Sequence, residues 1–291
     1  MRCGQTRGRV GGGRVMSHSL GAYAFAVGRK YGLAGATGLK TRLAYLGNYA
    51  GSILTYGLFV FVFSRIWTAV FESKAGATGF IAGYDRATAI WYFIVAEISV
   101  FGFGRFFWRL AEDVKSGQVS YLLGRPYSFV GFHYAESMGP ALVDAVIFLA
   151  EGFLLGTLLA GPPVHFGPGR AAALILSLLL AGSLQFFLQF ALAMTAFWIE
   201  ENAAFFWIFQ KLALIVGTLL PIEFLPPRAQ AVAAYTPFPS LSYAPARIAV
   251  AAGIPEGLRL VSIQMVWLLG AILLCEAVYR LARKNLSVNG G

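Results

Sequence analysis

Charge is scarce in this sequence. Only 12% of its 291 residues are Asp, Glu, Lys or Arg, and only 13 are acidic. A soluble domain usually carries about 25% charged residues, so a water-soluble fold of this length would lack the groups to clothe its surface. Histidine is nearly absent: His18, His133 and His165 are the whole set. The two cysteines, Cys3 and Cys275, are far apart. That argues against a disulfide framework and still more against a metal site. The first 45 residues are basic and glycine-rich and contain no long apolar run, so no secretory leader is visible.

What fills the chain is hydrocarbon. Hydrophobic residues make up 58% of it, aromatics 15%, and mean hydropathy is +0.67. Six stretches have the length, about 20 residues, that crosses a hydrocarbon core about 30 Å thick. They run over 51–71, 88–108, 140–160, 171–198, 204–220 and 260–281. In lipid they must be helical, because an unpaired peptide group there costs several kcal/mol. The expected fold is therefore all-α and membrane-embedded. It reads as a basic, disordered extension over 1–25, one six-span domain over 26–286 and a short tail over 287–291.

The net charge of +10 points to a membrane and not to nucleic acid, because the basic residues flank the apolar runs. With the N-terminus inside, the inner segments hold the Arg and Lys of residues 2–42. They also hold Arg105, Arg109, Lys115, Arg125, Arg280, Arg283 and Lys284. The outer segments hold Lys74, Arg86, Arg170, Arg228, Arg247 and Arg259. This bias predicts two cytoplasmic termini, which an even number of spans also requires.

Three segments outside the spans stand out. Residues 23–48 mix apolar residues with Arg29, Lys30, Lys40 and Arg42 and carry no acid, and the second half of this stretch is expected to form an amphipathic helix on an anionic leaflet. Residues 109–139 form a polar inner loop. Residues 221–257 are proline-rich and moderately apolar, too broken for a span, and predict a short re-entrant segment.

Catalytic signals are weak. On this topology His133 and His165 lie on opposite faces of the membrane and share no metal. Gly35 to Thr41 imitates a phosphate loop, but Leu39 separates Gly38 from Lys40, and that loop needs Gly and Lys adjacent. Ser116-Gly117-Gln118 imitates the tail of an ATPase signature without its leading residues. The chain is expected to be no enzyme and to hold no cofactor.

Charged residues inside spans carry more weight, since each costs about 2.5–3.5 kcal/mol at mid-membrane. Glu97 and Glu151 fall near the middles of the second and third spans. They read either as helix-packing glue or as the lining of a polar conduit that binds a cationic group. Gly152 and Gly156 form a GxxxG pair suited to a helix seam.

The inner loop reads Glu112, Asp113, Val114, Lys115, Ser116, Gly117, Gln118, Val119, Ser120, Tyr121, Leu122, Leu123, Gly124, Arg125, Pro126. It resembles the loop of type 2 ABC exporter permeases: an acid, then Ile/Val-x-x-Gly, then Leu-Leu-x-Arg-Pro. Ile66-Trp67, Gly83-Tyr84, Phe197-Trp198 and the outer run from Pro221 through Pro226, Pro237 and Pro245 agree in order and spacing over about 38–286.

The resemblance implies a bacterial inner-membrane permease subunit without ATPase activity of its own. Its expected partners are a separate ATP-binding subunit that holds ATP and Mg, a second permease, and the lipid bilayer, with no nucleic acid. It also implies a coupling helix over about Glu112 to Leu123, in which Glu112, Asp113, Lys115, Gly117, Leu122, Leu123, Arg125 and Pro126 meet the ATPase. Pro221, Pro226, Pro237 and Pro245 would shape an outer gate. The substrate path would run between two permeases, past the first, second and fifth spans. The competing reading is an ion-coupled secondary transporter that uses Glu97 and Glu151.

Overall fold

The computed structural model describes residues 49–74, 79–103, 106–117, 128–163, 166–199 and 201–289, together with 29, 32, 33, 35–37 and 40. The basic extension over 1–25 lies outside these residues, as does most of the expected amphipathic helix. Residues 32, 33 and 35–37 of that segment are helical, and the Gly35 carbonyl would meet a Cβ placed on Gly139 at 2.5 Å.

Nine α-helices are described: α1 Tyr49–Lys74, α2 Arg86–Phe103, α3 Phe106–Lys115, α4 Phe129–Ala160, α5 Pro168–Met194, α6 Ala203–Ala213, α7 Pro227–Ala234, α8 Tyr243–Val250 and α9 Ile254–Asn289. The described residues contain no strand beyond one isolated bridge, between Ile81 and Tyr84. Five helical stretches are long and apolar enough to cross a membrane: 50–74, 86–115, 129–160, 168–197 and 254–282. The expected span over 204–220 is shorter. Helix α6 continues into a π-helical turn, Leu214–Thr218, and the two together rise only about 24 Å.

Each helix shows its faces in its spacing. Along α1, Tyr56, Val60, Ser64, Trp67 and Phe71 are buried, a stripe of threes and fours. Leu54, Leu58, Phe61, Val62 and Ile66 point away from the protein, as lipid-facing residues should. Helix α2 is the hub, buried on every side from Ala89 to Ser99. It starts where the Asp85 carboxylate accepts from the Thr88 N–H at 2.9 Å. Just before it, Ala82 and Gly83 have φ of 51° and 85°. The chain turns tightly there, with paired bonds between Ile81 and Tyr84.

Helices α2 and α4 share the closest seam. A Cβ on Gly102 would lie 3.1 Å from the Ala145 Cα, and one on Gly156 would lie 2.5 Å from the Trp91 ring. Gly152 presses in the same way on Tyr56 and Ile94. Without a strong hydrophobic drive between helices in lipid, such close approach and interhelical hydrogen bonds hold the bundle. Gln264 of α9 supplies three of these bonds. It accepts from the Ser177 hydroxyl at 2.8 Å and donates to the Ser177 and Ser240 carbonyls at 3.1 and 2.9 Å. Asn202 donates to the Leu192 and Ala193 carbonyls and the Thr195 hydroxyl, closing the free end of α5.

Helix α4 outruns its expected span over 140–160. It starts at Phe129, capped by the Ser128 hydroxyl, and rises about 48 Å. His133 is thus a buried helical residue between Phe129 and Phe190, not a loop residue. Between α6 and α9, residues 219–253 fold back on themselves as α7, α8 and two 3-10 turns, Ile222–Phe224 and Phe238–Ser240. Helices of eight residues reach only about 12 Å, so this segment enters the bundle and returns. Pro226 and Pro237 immediately precede α7 and the second turn, Pro221 precedes the first, and Pro245 sits in the first turn of α8.

The α2–α4 seam makes a specific demand. Gly156→Val drives two methyl groups into the Trp91 ring and should cost about 1–3 kcal/mol. Gly167, by contrast, faces open space. In detergent, the thermal unfolding midpoint should fall for Gly156→Val and stay within error for Gly167→Val.

Candidate functional site

A side cleft of about 210 Å³ opens between α1, α2, α5, α6 and the folded-back segment. Its floor is polar and buried: Glu97 of α2, Gln185 and Gln189 of α5, Thr218 after the π turn, and Ser242. Phe59, Phe101 and Phe209 give it an aromatic wall, and Lys211 lies exposed at its rim. Leu241, at the tip of the folded-back segment beside Ser242, completes the lining.

Most of its polar groups are committed elsewhere. The Gln185 amide donates to the Ser99 carbonyl at 2.9 Å, and the Gln189 amide donates to the Gln185 carbonyl oxygen at 3.4 Å. The Gln189 carbonyl oxygen accepts from the Phe107 N–H at 3.0 Å. Thr218 donates to the Ala213 carbonyl at 3.0 Å and lies 2.8 Å from the Ser242 hydroxyl. Glu97 is the exception. It is 1% exposed, and its Oε1 has no hydrogen-bond partner.

The two glutamines have a second task. Residues 104 and 105, between α2 and α3, lie outside the described residues. Gln185 donates to the Ser99 carbonyl of α2, and Gln189 accepts from the Phe107 N–H of α3. One i, i+4 pair on α5 therefore clasps both α2 and α3. The wall of the cleft and the start of α3 are the same two side chains.

Helix α3 is strongly two-faced. Phe106, Phe107, Leu110, Ala111 and Val114 are buried against the bundle, while Arg109, Glu112 and Lys115 are exposed. Arg109 bridges to Glu136 of α4, and His133 lies 3.7 Å from Glu136. Ser116 and Gly117 close the helix with N–H bonds to Glu112 and Val114, and Gly117 has a φ of 74°. The helix expected over Glu112 to Leu123 therefore does not run through. Glu112, Asp113 and Lys115 form the last turn of α3, and a glycine in the left-handed region stops it. Leu122, Leu123, Arg125 and Pro126 lie outside the described residues.

At the opposite end of the bundle a charged knot ties down the folded-back segment. The Arg247 Nε donates to Glu256 at 2.8 Å and lies 3.7 Å from Glu223. Its Nη1 donates to the Tyr84 hydroxyl at 2.9 Å, and its guanidinium lies 5.3 Å from the centre of the Tyr84 ring. Tyr84 and Tyr243 both donate to Glu223, at 3.3 and 2.8 Å. Burial, then the Glu223 charge, pushes both phenols above their ordinary range, so they stay protonated donors. Burial works against the Arg247 charge, but its bond to Glu256 and the nearby Tyr84 and Glu223 push it upward, and it stays a cation. Below the knot, Tyr92 donates to the Gly217 carbonyl at 2.5 Å. Gly217 has a φ of 104°, the point at which α6 stops being helical.

Glu151 belongs to neither region. Its Oε1 would lie 3.0 Å from a Cβ on Gly57 of α1, and its Oε2 has no hydrogen-bond partner. It does not line the cleft. Gln185, Gln189, Gln264 and Asn202 were not anticipated, although four amides within or beside apolar runs were a readable signal. No group of three or more His, Cys, Asp or Glu side chains suited to a metal occurs among the described residues.

A family model described as ABC-2 family transporter protein matches residues 51–290. No curated protein matches the chain.

The clasp can be opened selectively. Gln189→Leu removes the side-chain bond to the buried Phe107 N–H, at a cost of about 0.5–1.5 kcal/mol. Hydrogen exchange over 106–115 should then speed up by about tenfold, while exchange over 254–282 stays unchanged.

Proposed function

The chain belongs to the ABC-2 family of transporter proteins, and from that premise we propose that it is the permease subunit of an ATP-driven exporter. As an ABC permease subunit it is a multi-pass membrane transport protein and not itself an enzyme. We further read it as one half of a permease pair in a bacterial inner membrane. Both termini and the α3 end face the cytoplasm, and a separate subunit binds ATP and Mg.

The observation that carries the reading is α3. A helix that buries Phe106, Phe107, Leu110 and Val114 while presenting Arg109, Glu112 and Lys115 to water is built to relay force. Its apolar face fixes it to α5, and its charged end leads into the segment 118–127. That segment, with Leu122, Leu123, Arg125 and Pro126, is where an ATP-binding partner would grip. Gly117 is the joint between the two.

The route from ATP to substrate is then short. ATP favours one arrangement of the ATPase pair by binding it better than the other. The gripped segment moves α3, and α3 pulls on Gln189. Gln189 and Gln185 border the cleft, so the cleft changes shape with α3. Phe59, Glu97 and the α6 residues supply one wall of the path, and a facing permease would supply the other. The folded-back segment, with Pro221, Pro226, Pro237 and Pro245, closes the outer side and is held by the Arg247 knot.

The test is reconstitution of the chain with its ATP-binding subunit in vesicles. Gly117→Pro combined with Arg125→Glu should abolish the ATPase activity that depends on this chain, while membrane insertion persists. Unchanged ATPase activity in that double variant would overturn the coupling role.

A further inference from the structure

We propose that the side cleft is a binding site for an amphiphilic organic cation, a protonated or quaternary ammonium head on an aromatic or aliphatic body, with Glu97 as its counter-ion. The proposal rests on the transporter reading and names the substrate class of that cleft.

Glu97 sets the sign. A carboxylate this deeply buried demands either a proton or a positive partner. Among the described residues no Lys, Arg or His lies within ion-pair distance of it. The basic residue on the cleft is Lys211, and its ammonium is exposed at the rim. The protein has therefore placed an acid at the floor and left the cation to come from outside.

The remaining groups decide what kind of cation. A bare metal ion needs several free oxygens around it; calcium takes about 6–8. Here the Gln185 and Gln189 oxygens accept bonds from Gln189 and Phe107, and the Thr218 and Ser242 hydroxyls pair with each other. One carboxylate oxygen is left over, not a cage. The other walls are Phe59, Phe101 and Phe209. Phe59 and Phe101 meet edge to face with centroids 6.1 Å apart. Aromatic faces attract ammonium groups and dehydrate them cheaply, and they accept apolar bodies. The volume of about 210 Å³ is below the roughly 300–1,000 Å³ of complete small-molecule pockets. It suits the charged head and one ring, with the rest of the molecule emerging past Lys211 toward lipid or a facing permease.

Glu151 is a weaker anchor for such a ligand. It is also buried at one oxygen, yet it lies against Gly57 and does not border this cleft.

The test uses the full chain in nanodiscs of zwitterionic lipid, without nucleotide or ATP-binding subunit. Radiolabelled phenyltrimethylammonium is the probe, and its neutral isostere tert-butylbenzene is the competitor. The wild type should bind the cation saturably, and the isostere should displace it poorly. Glu97→Gln should weaken binding by about tenfold or more. Lys211→Gln removes a like charge from the rim and should tighten binding by about two- to fivefold. Because Lys211 is exposed, that variant reports even if the buried substitution disturbs folding. Equal binding by wild type and Glu97→Gln, equal displacement by the isostere, or no change in Lys211→Gln would each overturn the assignment. Loss of coupling to an ATPase would leave this binding intact, and absence of this binding would leave the coupling intact.

Discussion

A peptide group in hydrocarbon has no water to turn to, so every interruption of a helix must be answered by another part of the protein. That constraint organises this molecule. Among the described residues a helix is interrupted after α6, where Gly217 has a φ of 104°. That interruption is met by a side chain from a neighbouring helix, since Tyr92 donates to the Gly217 carbonyl. Gln185 and Gln189 likewise bond the backbone of Ser99 and Phe107. The same residues, or their immediate neighbours, border the cleft. Irregular backbone at membrane depth is tolerated where it is enclosed by protein or lines a cavity, and here it does both.

The cleft brings mechanical and chemical parts together. Helix α2 brings Glu97 to the floor, and α3 follows it in the chain. Helix α6 brings Phe209 and Lys211 to the rim, and its broken end leads into the folded-back segment that forms the roof. The segments that follow α2 and α6 are fastened differently. Helix α3 is fixed by apolar burial, while the roof is tied by Arg247 to Glu223, Glu256 and Tyr84. Packed hydrocarbon slides, whereas a knot of charge and phenol either holds or opens.

Five of the six expected spans were legible because twenty apolar residues in a row have few other uses. Glu97 was legible for the opposite reason, a carboxylate where hydrocarbon was due. The first eleven residues of α4 escaped notice. His133 and Glu136 interrupt the apolar pattern there, and the stretch is helical because it packs on α3 and α5, not because it crosses lipid. The end of α6 at Gly217 was hidden as well. Its φ of 104° follows from the close approach of Tyr243 and the bond from Tyr92, partners 26 and 125 positions away in sequence. The helix expected through Glu112 to Leu123 stops at Gly117 on a single backbone angle, since glycine is compatible with both continuing a helix and ending one, and residues 118–127 lie outside the described residues. The glutamine clasp had a sequence signature, two amides one turn apart. Its meaning depended on contacts with the backbone of α2 and α3, at Ser99 and Phe107.

The length of α4 has a further consequence. At about 48 Å it exceeds a hydrocarbon core of about 30 Å by roughly 18 Å. Beside it α3 is braced by Arg109 and Glu136. The two helices share one end of the bundle: the surplus first turns of α4 carry His133 and Glu136, and the last turn of α3 leaves Glu112 and Lys115 exposed. That end is polar although both helices pack on the bundle through apolar faces.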